Sequence, residues 1–88
     1  MRPKEGFLLR ELDGTSIVVA TGAALGDFSG LITLNATGTF LWKRLEQGAT
    51  EEELVAALLG EYEIGEEIAR RDVKAFLTRA LDAGLLED

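Results

Sequence analysis

The alternation of apolar and polar positions divides the chain into a strand-rich first third and a helical remainder. Two short β-type runs, at residues 7–12 and 16–21, flank an Asp-Gly pair, which is a strong signal for a tight hairpin turn. A glycine-punctuated loop over residues 22–30 follows, and then a third apolar run at residues 31–34. This part of the sequence therefore predicts three short strands.

The rest of the chain has the 3.6-residue apolar periodicity of amphipathic helices. The predicted helices cover residues 36–46, 51–62 and 66–83. Asn35 is a suitable N-cap for the first helix, and Thr50 with Glu53 forms a capping box at the start of the second. The helix faces that this spacing predicts to be buried comprise Gly38, Leu41, Trp42, Leu45, Leu54, Val55, Leu58, Leu59, Tyr62, Ala69, Val73, Phe76, Leu77 and Ala80.

The element order β-β-β-α-α-α is typical of the α+β class, with helices packed on one face of a small antiparallel sheet. The chain has 88 residues, of which 47% are hydrophobic. This is enough apolar material for one core, and the chain is too short for a second. We therefore expect a single domain covering residues 1–88.

The residue types that are missing narrow the range of functions. The chain contains no Cys and no His, so it has neither a thiolate nucleophile nor the side chain that titrates closest to neutral pH. We therefore expect no catalysis, no metal site and no cofactor. The net charge of −7 disfavours nucleic acid as a partner, because phosphate neutralisation supplies most of that affinity. No apolar run has the length of a membrane span or signal peptide, so we expect a cytoplasmic protein that does not bind membranes.

The third strand is a candidate binding element. It consists of Leu31, Ile32, Thr33 and Leu34, and it contains neither Pro nor Lys. At an edge of the sheet it would be poorly protected, and its main chain would accept an extended peptide or a second copy of this chain, giving a homodimer. In the middle of the sheet it would be an ordinary core strand. The sequence pattern leaves both placements open.

The third helix concentrates positive charge in an acidic protein. Four of the nine Lys and Arg residues lie between positions 70 and 79. Arg70, Lys74, Leu77 and Leu81 follow i, i+4, i+7, i+11 spacing, which places them in one stripe beside the buried face. A stripe that is half basic and half apolar is typical of a groove wall that accepts a partly acidic, amphipathic peptide. The alternative is that the two leucines belong to the core.

Four segments carry motifs that occur in a fixed order over nearly the whole chain. They are residues 31–42, 45–50, 72–77 and 83–86. They contain a short strand ending in Leu-Asn, a helix with an early Thr and a later Leu-Trp pair, and a Gly before a capped second helix. A closing Asp-Val-x-x-Phe-Leu helix followed by Gly-Leu completes the pattern. Taken together, these motifs resemble those of the PqqD family.

The resemblance implies a winged-helix-like domain of the kind called a RiPP recognition element. Such domains bind the leader segment of a ribosomally made precursor peptide and present it to a modifying enzyme, often a radical SAM protein, as in the synthesis of pyrroloquinoline quinone. In this family the leader adds to the third strand and lies against the third helix. The contact residues implied here are Leu31, Ile32, Thr33, Leu34, Arg70, Lys74, Leu77 and Leu81.

Two other functions are compatible with the same architecture. A winged-helix domain can bind nucleic acid, and the third helix is basic, although the overall pI of about 4.5 opposes approach to DNA. A purely structural homodimer formed through the third strand is the second alternative.

Overall fold

The computed structural model describes residues 1–13, 15–21 and 31–87, with the main chain only for Leu31. Its elements are β1 (Arg2–Pro3), β2 (Phe7–Leu12), β3 (Thr15–Ala20), β4 (Leu31–Leu34), α1 (Ala36–Glu46), α2 (Glu51–Glu61), α3 (Glu66–Asp82) and β5 (Leu86–Glu87). The predicted loop over residues 22–30 and the glycine of the predicted hairpin turn lie outside the described residues.

The predicted α+β architecture is confirmed: β2, β3 and β4 form an antiparallel sheet in that order, and three helices follow along the chain. The hairpin register runs from Phe7↔Ala20 to Leu12↔Thr15. Because Thr15 pairs with Leu12, β3 begins one residue earlier than predicted. It also ends one residue earlier, at Ala20. Helices α2 and α3 each end one residue before their predicted ends.

The placement of β4, which the sequence left open, follows from the strand order. β4 pairs antiparallel with β3, from Ser16↔Leu34 to Val19↔Leu31. It is the last strand in the order β2-β3-β4, and no other strand in the described part of the chain pairs with its outer side. β4 is therefore an edge strand.

The core lies between the inner face of the sheet and the three helices. Its buried apolar side chains are Val18, Leu34, Leu41, Trp42, Leu45, Leu54, Val55, Leu58, Ala69, Val73, Leu77, Ala80, Leu85 and Leu86. The predicted helix faces agree with this set except at three positions: Tyr62 and Phe76 are half-buried, and Leu59 is 39% exposed. Leu58 occupies the core-facing position, so its neighbour Leu59 is turned about 100° away from the core.

The predicted helix starts are confirmed by their hydrogen bonds. The Asn35 side chain accepts from the N–H of Gly38 at 2.8 Å and caps α1. At the start of α2, the Thr50 hydroxyl accepts from the N–H of Glu53 at 3.1 Å, and the Glu53 carboxylate accepts from the N–H of Thr50 at 2.9 Å. These caps fix where each helix begins relative to the preceding segment.

A second, two-stranded sheet joins the beginning and the end of the described chain. β1 pairs antiparallel with β5 through Arg2↔Glu87 and Pro3↔Leu86. The N–H of Lys4 donates to the carbonyl of Leu85 at 2.8 Å and extends this contact. The sequence did not predict this sheet, because two-residue strands carry no readable periodicity.

Candidate functional site

A cleft of about 490 Å³ opens between the end of β4, the start of α1 and one face of α3. We call it the β4–α3 cleft. It is lined by Thr15, Thr33, Leu34, Asn35, Thr37, Gly38, Leu41, Asp72, Ala75, Phe76 and Arg79. The cleft therefore lies beside the edge strand, and α3 forms its other wall.

A smaller apolar gap of about 10 Å³ continues the cleft toward the core. Leu34, Phe76 and Arg79 line both spaces, whereas Ile32, Trp42, Ala80 and Leu85 line only the gap. Leu34 is only 4% exposed, while Ile32 and Phe76 are half-buried. Phe76 therefore packs against the core and also presents apolar surface to the cleft.

The close approach of α1 to β4 shapes the near end of the cleft. A Cβ atom at Gly38 would lie 3.3 Å from the Cβ of Leu34 and 3.3 Å from Oδ1 of Asn35. Only a residue without a side chain lets α1 start this close to β4 without displacing a neighbour. Asn35 caps α1, and Gly38 is where α1 comes close to β4, so the strand and the helix meet at the cleft.

Two opposite charges flank the apolar centre of the α3 wall. Asp72, Phe76 and Arg79 follow i, i+4, i+7 spacing and so lie on one helix face. The Asp72 side chain is 39% exposed, and its nearest cation, Nε of Arg71, is 3.7 Å from Oδ1. Arg79 is exposed and has no ion-pair partner among residues 1–13, 15–21 and 31–87. Along α3 the wall is therefore acidic, then apolar, then basic.

The structure places the four predicted helix residues away from this cleft. Arg70, Lys74 and Leu81 are exposed, Leu81 to 53%, whereas Leu77 is only 5% exposed and belongs to the core. None of the four lines the β4–α3 cleft. A helix turns about 100° per residue, so the buried stripe has a flank on each side. The predicted stripe occupies the flank opposite to the cleft.

Arg70 instead joins α3 to α2. Its Nη1 and Nη2 donate to Oε1 and Oε2 of Glu52 at 2.7 and 3.1 Å, and its Nε donates to Oε2 of Glu66 at 2.9 Å. The hydrogen bonds and positive charge of Arg70 lower the pKa of Glu52 below its usual value of 4.5. The same hydrogen bonds raise the pKa of Arg70. This guanidinium is thus engaged within the protein.

The predicted strand residues do lie beside the cleft. Leu34 points into the core, Ile32 borders the apolar gap, and Thr33 is exposed at the cleft. The main chain of Leu31 completes the edge strand through its pairing with Val19. The structure therefore brings together the strand half of the predicted site and a different face of α3.

Sequence reasoning missed the four α3 residues of the cleft wall, although their pattern was readable. Asp72, Ala75, Phe76 and Arg79 have helical spacing, and Phe76 was assigned to the core on the same evidence.

Within the described residues, no cluster of three potential metal ligands occurs. No helix there combines the length and the apolarity needed to cross a bilayer.

Comparison with known proteins identifies the family. The family described as "Coenzyme PQQ synthesis protein D (PqqD)" matches residues 22–86. The chain belongs to the PqqD family. The resemblance that its motifs indicated is thereby confirmed. No curated protein sequence matches this PqqD-family chain at a significant level.

Two solved structures share the fold over nearly the whole of this PqqD-family chain. TbiB1 in complex with the TbiA(beta) leader peptide is 25% identical, with a TM-score of 0.80, and the alignment covers 99% of this chain and 95% of that one. Lasso peptide synthetase B1 complexed with the leader peptide is 21% identical, with a TM-score of 0.76 and coverages of 99% and 96%. In both structures the similar protein is bound to a leader peptide.

Proposed function

We propose that this PqqD-family protein binds the leader segment of a ribosomally made precursor peptide and presents it to a modifying enzyme, without catalysing a reaction itself. The observation that carries this proposal is the edge strand β4 beside the β4–α3 cleft. An extended peptide can add to such an edge through main-chain hydrogen bonds while its side chains enter an adjacent groove. The leader peptides bound to TbiB1 and to lasso peptide synthetase B1 support the same kind of partner.

The strand half of the binding site is the edge of β4, residues 31–34. Its main chain supplies N–H and C=O groups on the side away from β3. For the helix half, we replace the stripe expected from the sequence with the residues that line the cleft. These are Asp72, Ala75, Phe76 and Arg79.

Such a site predicts moderate affinity. Each strand hydrogen bond contributes about 0.5–1.5 kcal/mol net, and apolar side chains packed beside Phe76 and Ile32 add to this. The cost of ordering a flexible leader opposes both contributions. A Kd of about 1 μM, equivalent to about −8 kcal/mol, is consistent with this balance.

Nuclear magnetic resonance with a synthetic leader tests where the peptide binds. The leader is taken from the short precursor gene that the proposed function predicts near the gene for this protein, and it is titrated into 15N-labelled protein. We expect amide shifts in β4 and on the cleft face of α3, around Phe76, and small shifts on the flank that carries Lys74. Shifts confined to the Lys74 flank would contradict the proposed site.

Backbone-modified leaders test strand addition itself. In a strand, alternate N–H groups point to opposite sides, so N-methylation of every second residue blocks either the set that faces β4 or the set that faces solvent. We expect one of the two modified peptides to lose binding and the other to retain it. Equal effects of both would contradict strand addition.

The expected modifying enzyme is a radical SAM protein, which is the partner class that the family resemblance suggested, and the expected compartment is the cytoplasm. Co-purification of this protein with a candidate radical SAM enzyme, in the presence and absence of the leader, tests the expected enzyme class.

A second copy of the chain could also pair with the β4 edge, because that edge has no described partner strand. Sedimentation velocity over a range of concentrations would reveal such a homodimer, and addition of leader should dissociate it.

A further inference from the structure

We propose that the β4–α3 cleft selects its peptide by the order of charges: a basic residue, an apolar residue two positions later, and an acidic residue two positions after that. This inference rests on the proposed leader binding and adds the chemistry that the leader must carry. It follows from the three residues of the α3 wall, Asp72, Phe76 and Arg79.

The spacing of these three residues matches that of an extended peptide. With a rise of about 1.5 Å per helical residue, Asp72 lies about 6 Å from Phe76 along α3, and Phe76 lies about 4.5 Å from Arg79. Side chains on one face of a strand repeat about every 6.7 Å. Three alternate side chains of one bound strand can therefore meet the three wall residues in succession.

The direction of the peptide follows from how α3 lies against β4. Arg79 lines the apolar gap together with Ile32, whereas Asp72 lines only the larger cleft, together with Asn35 and Gly38. The acidic end of the wall is therefore nearer the end of β4, and the basic end is nearer its start. Every pairing within the β2-β3-β4 sheet is antiparallel. An added antiparallel strand starts beside Leu34, so its earlier side chain faces Asp72 and its later one faces Arg79.

Both wall charges are available to a ligand. The cation nearest to Asp72 is Arg71, whose Nε lies 3.7 Å from Oδ1 of Asp72. An ion pair of this length between solvent-exposed groups is weak, so a cationic side chain of the peptide can displace it. Arg79 lies on a protein of net charge −7, which repels acidic peptides in general. Arg79 opposes this general repulsion locally, so it favours an acidic residue only at the leader position that faces it.

Two synthetic peptides of identical composition test the charge order. One carries the core lysine-threonine-leucine-threonine-glutamate, and the other has the lysine and glutamate exchanged, with the same neutral flanks. Exposed ion pairs change affinity by about two- to fivefold each, and the exchanged peptide also brings like charges together. We expect the Kd of the first peptide, measured by fluorescence anisotropy, to be lower than that of the second by about fivefold or more. The ratio of the two Kd values should fall as salt is added.

A double charge exchange in the protein provides the matched control. The variant Asp72→Lys with Arg79→Glu should invert the preference and bind the exchanged peptide more tightly, and this binding also shows that the variant is folded. Equal binding of the two peptides, or a preference that the variant does not invert, would overturn the charge order. If the natural leader still binds in that case, the proposed function stands, and if the leader also fails to bind, the proposed function fails with it.

Discussion

The Arg70 guanidinium on α3 donates to both carboxylate oxygens of Glu52 on α2, at 2.7 and 3.1 Å. This two-point contact joins the two helices on the side of α3 that faces away from the β4–α3 cleft. The stripe that the sequence marked as suited to peptide binding lies on this side and is therefore separate from the edge strand. Arg70 thus links the helix pair through Glu52 of α2 and Glu66 at the start of α3.

Replacement of residues on the two flanks of α3 should affect leader binding unequally. Arg70→Gln and Lys74→Gln should leave the Kd for the leader within about twofold, because neither side chain lines the cleft. Phe76→Ala should raise the Kd about tenfold or more, because it removes the apolar surface that faces the peptide. Isothermal titration calorimetry measures these values, with circular dichroism as a check on folding. An effect of Lys74→Gln equal to that of Phe76→Ala would contradict the proposed site.

The Arg70–Glu52 pair should also make stability depend on pH. Arg70 lowers the pKa of Glu52 in the folded protein below its usual value of 4.5. Its stabilisation is therefore fully present above pH 4.5 and is lost as the pH falls through the lower folded-state pKa. The difference in free energy of unfolding between the wild type and Glu52→Gln should shrink on acidification below about pH 4.5.

Denaturation with urea at a series of pH values measures this difference. Glu61→Gln is the matched control, because it removes the same charge from α2 nine residues further along the helix. The free energy of unfolding of Glu61→Gln should differ from that of the wild type by an amount that lacks the low-pH change caused by the Arg70–Glu52 pair. A Glu52→Gln difference that stays constant from pH 7 to pH 3 would show that the ion pair makes no contribution.

The hydrogen bond between Thr39 and Ser16 predicts an asymmetry between its two partners. The Thr39 hydroxyl lies 2.9 Å from Oγ of Ser16 and 2.9 Å from the carbonyl oxygen of Asn35, and Ser16 is 0% exposed. Thr39→Val leaves a buried hydroxyl without its partner and should cost about 1–3 kcal/mol. Ser16→Ala should cost less, about 0.5–1.5 kcal/mol, because Thr39 still has the carbonyl. Urea denaturation of both variants tests this order, which the reverse ranking would refute.

Substitution of alanine for Gly60 and for Gly84 should change the stability of the protein in opposite directions. A Cβ at Gly60 or at Gly84 would meet no atom within 4 Å, so only the backbone distinguishes the two sites. Gly60 lies within α2, where alanine should stabilise the protein by about 0.5–1 kcal/mol. Gly84 has φ +74° at the end of α3, where alanine should destabilise it by about 1–2 kcal/mol. Thermal unfolding of both variants measures the two effects, and changes of the same sign would contradict the backbone explanation.

The features that sequence predicted well depend on neighbours along the chain. The caps at Asn35 and Thr50 and the pairing of β2 with β3 as a hairpin need only the residues around them. The buried helix faces were predicted for the same reason, except at the half-buried Tyr62 and Phe76 and at Leu59, where two adjacent leucines compete for one core-facing position. Local rules suffice for such features, because helix and strand geometry fixes which side chains share a face.

The features that sequence left open or missed depend on how elements meet in space. Whether β4 is an edge follows from strand order, which no residue within β4 encodes. The two flanks of α3 have equally regular spacing, and only the position of β4 distinguishes the flank with Phe76 from the flank with Lys74. The sequence favoured the flank with Lys74 because of its basic charge, and in the structure one of its basic residues, Arg70, pairs with Glu52.

The pairing of β1 with β5 has a consequence for how this fold can be combined with other proteins. Because Arg2 and Glu87 are partners in a ladder, their Cα atoms are about 5 Å apart. A domain whose first and last strands lie side by side can be inserted into a surface loop of a larger protein without stretching the host. It can equally be circularly permuted. The β4 edge lies in a different sheet, so such an insertion would leave that edge accessible.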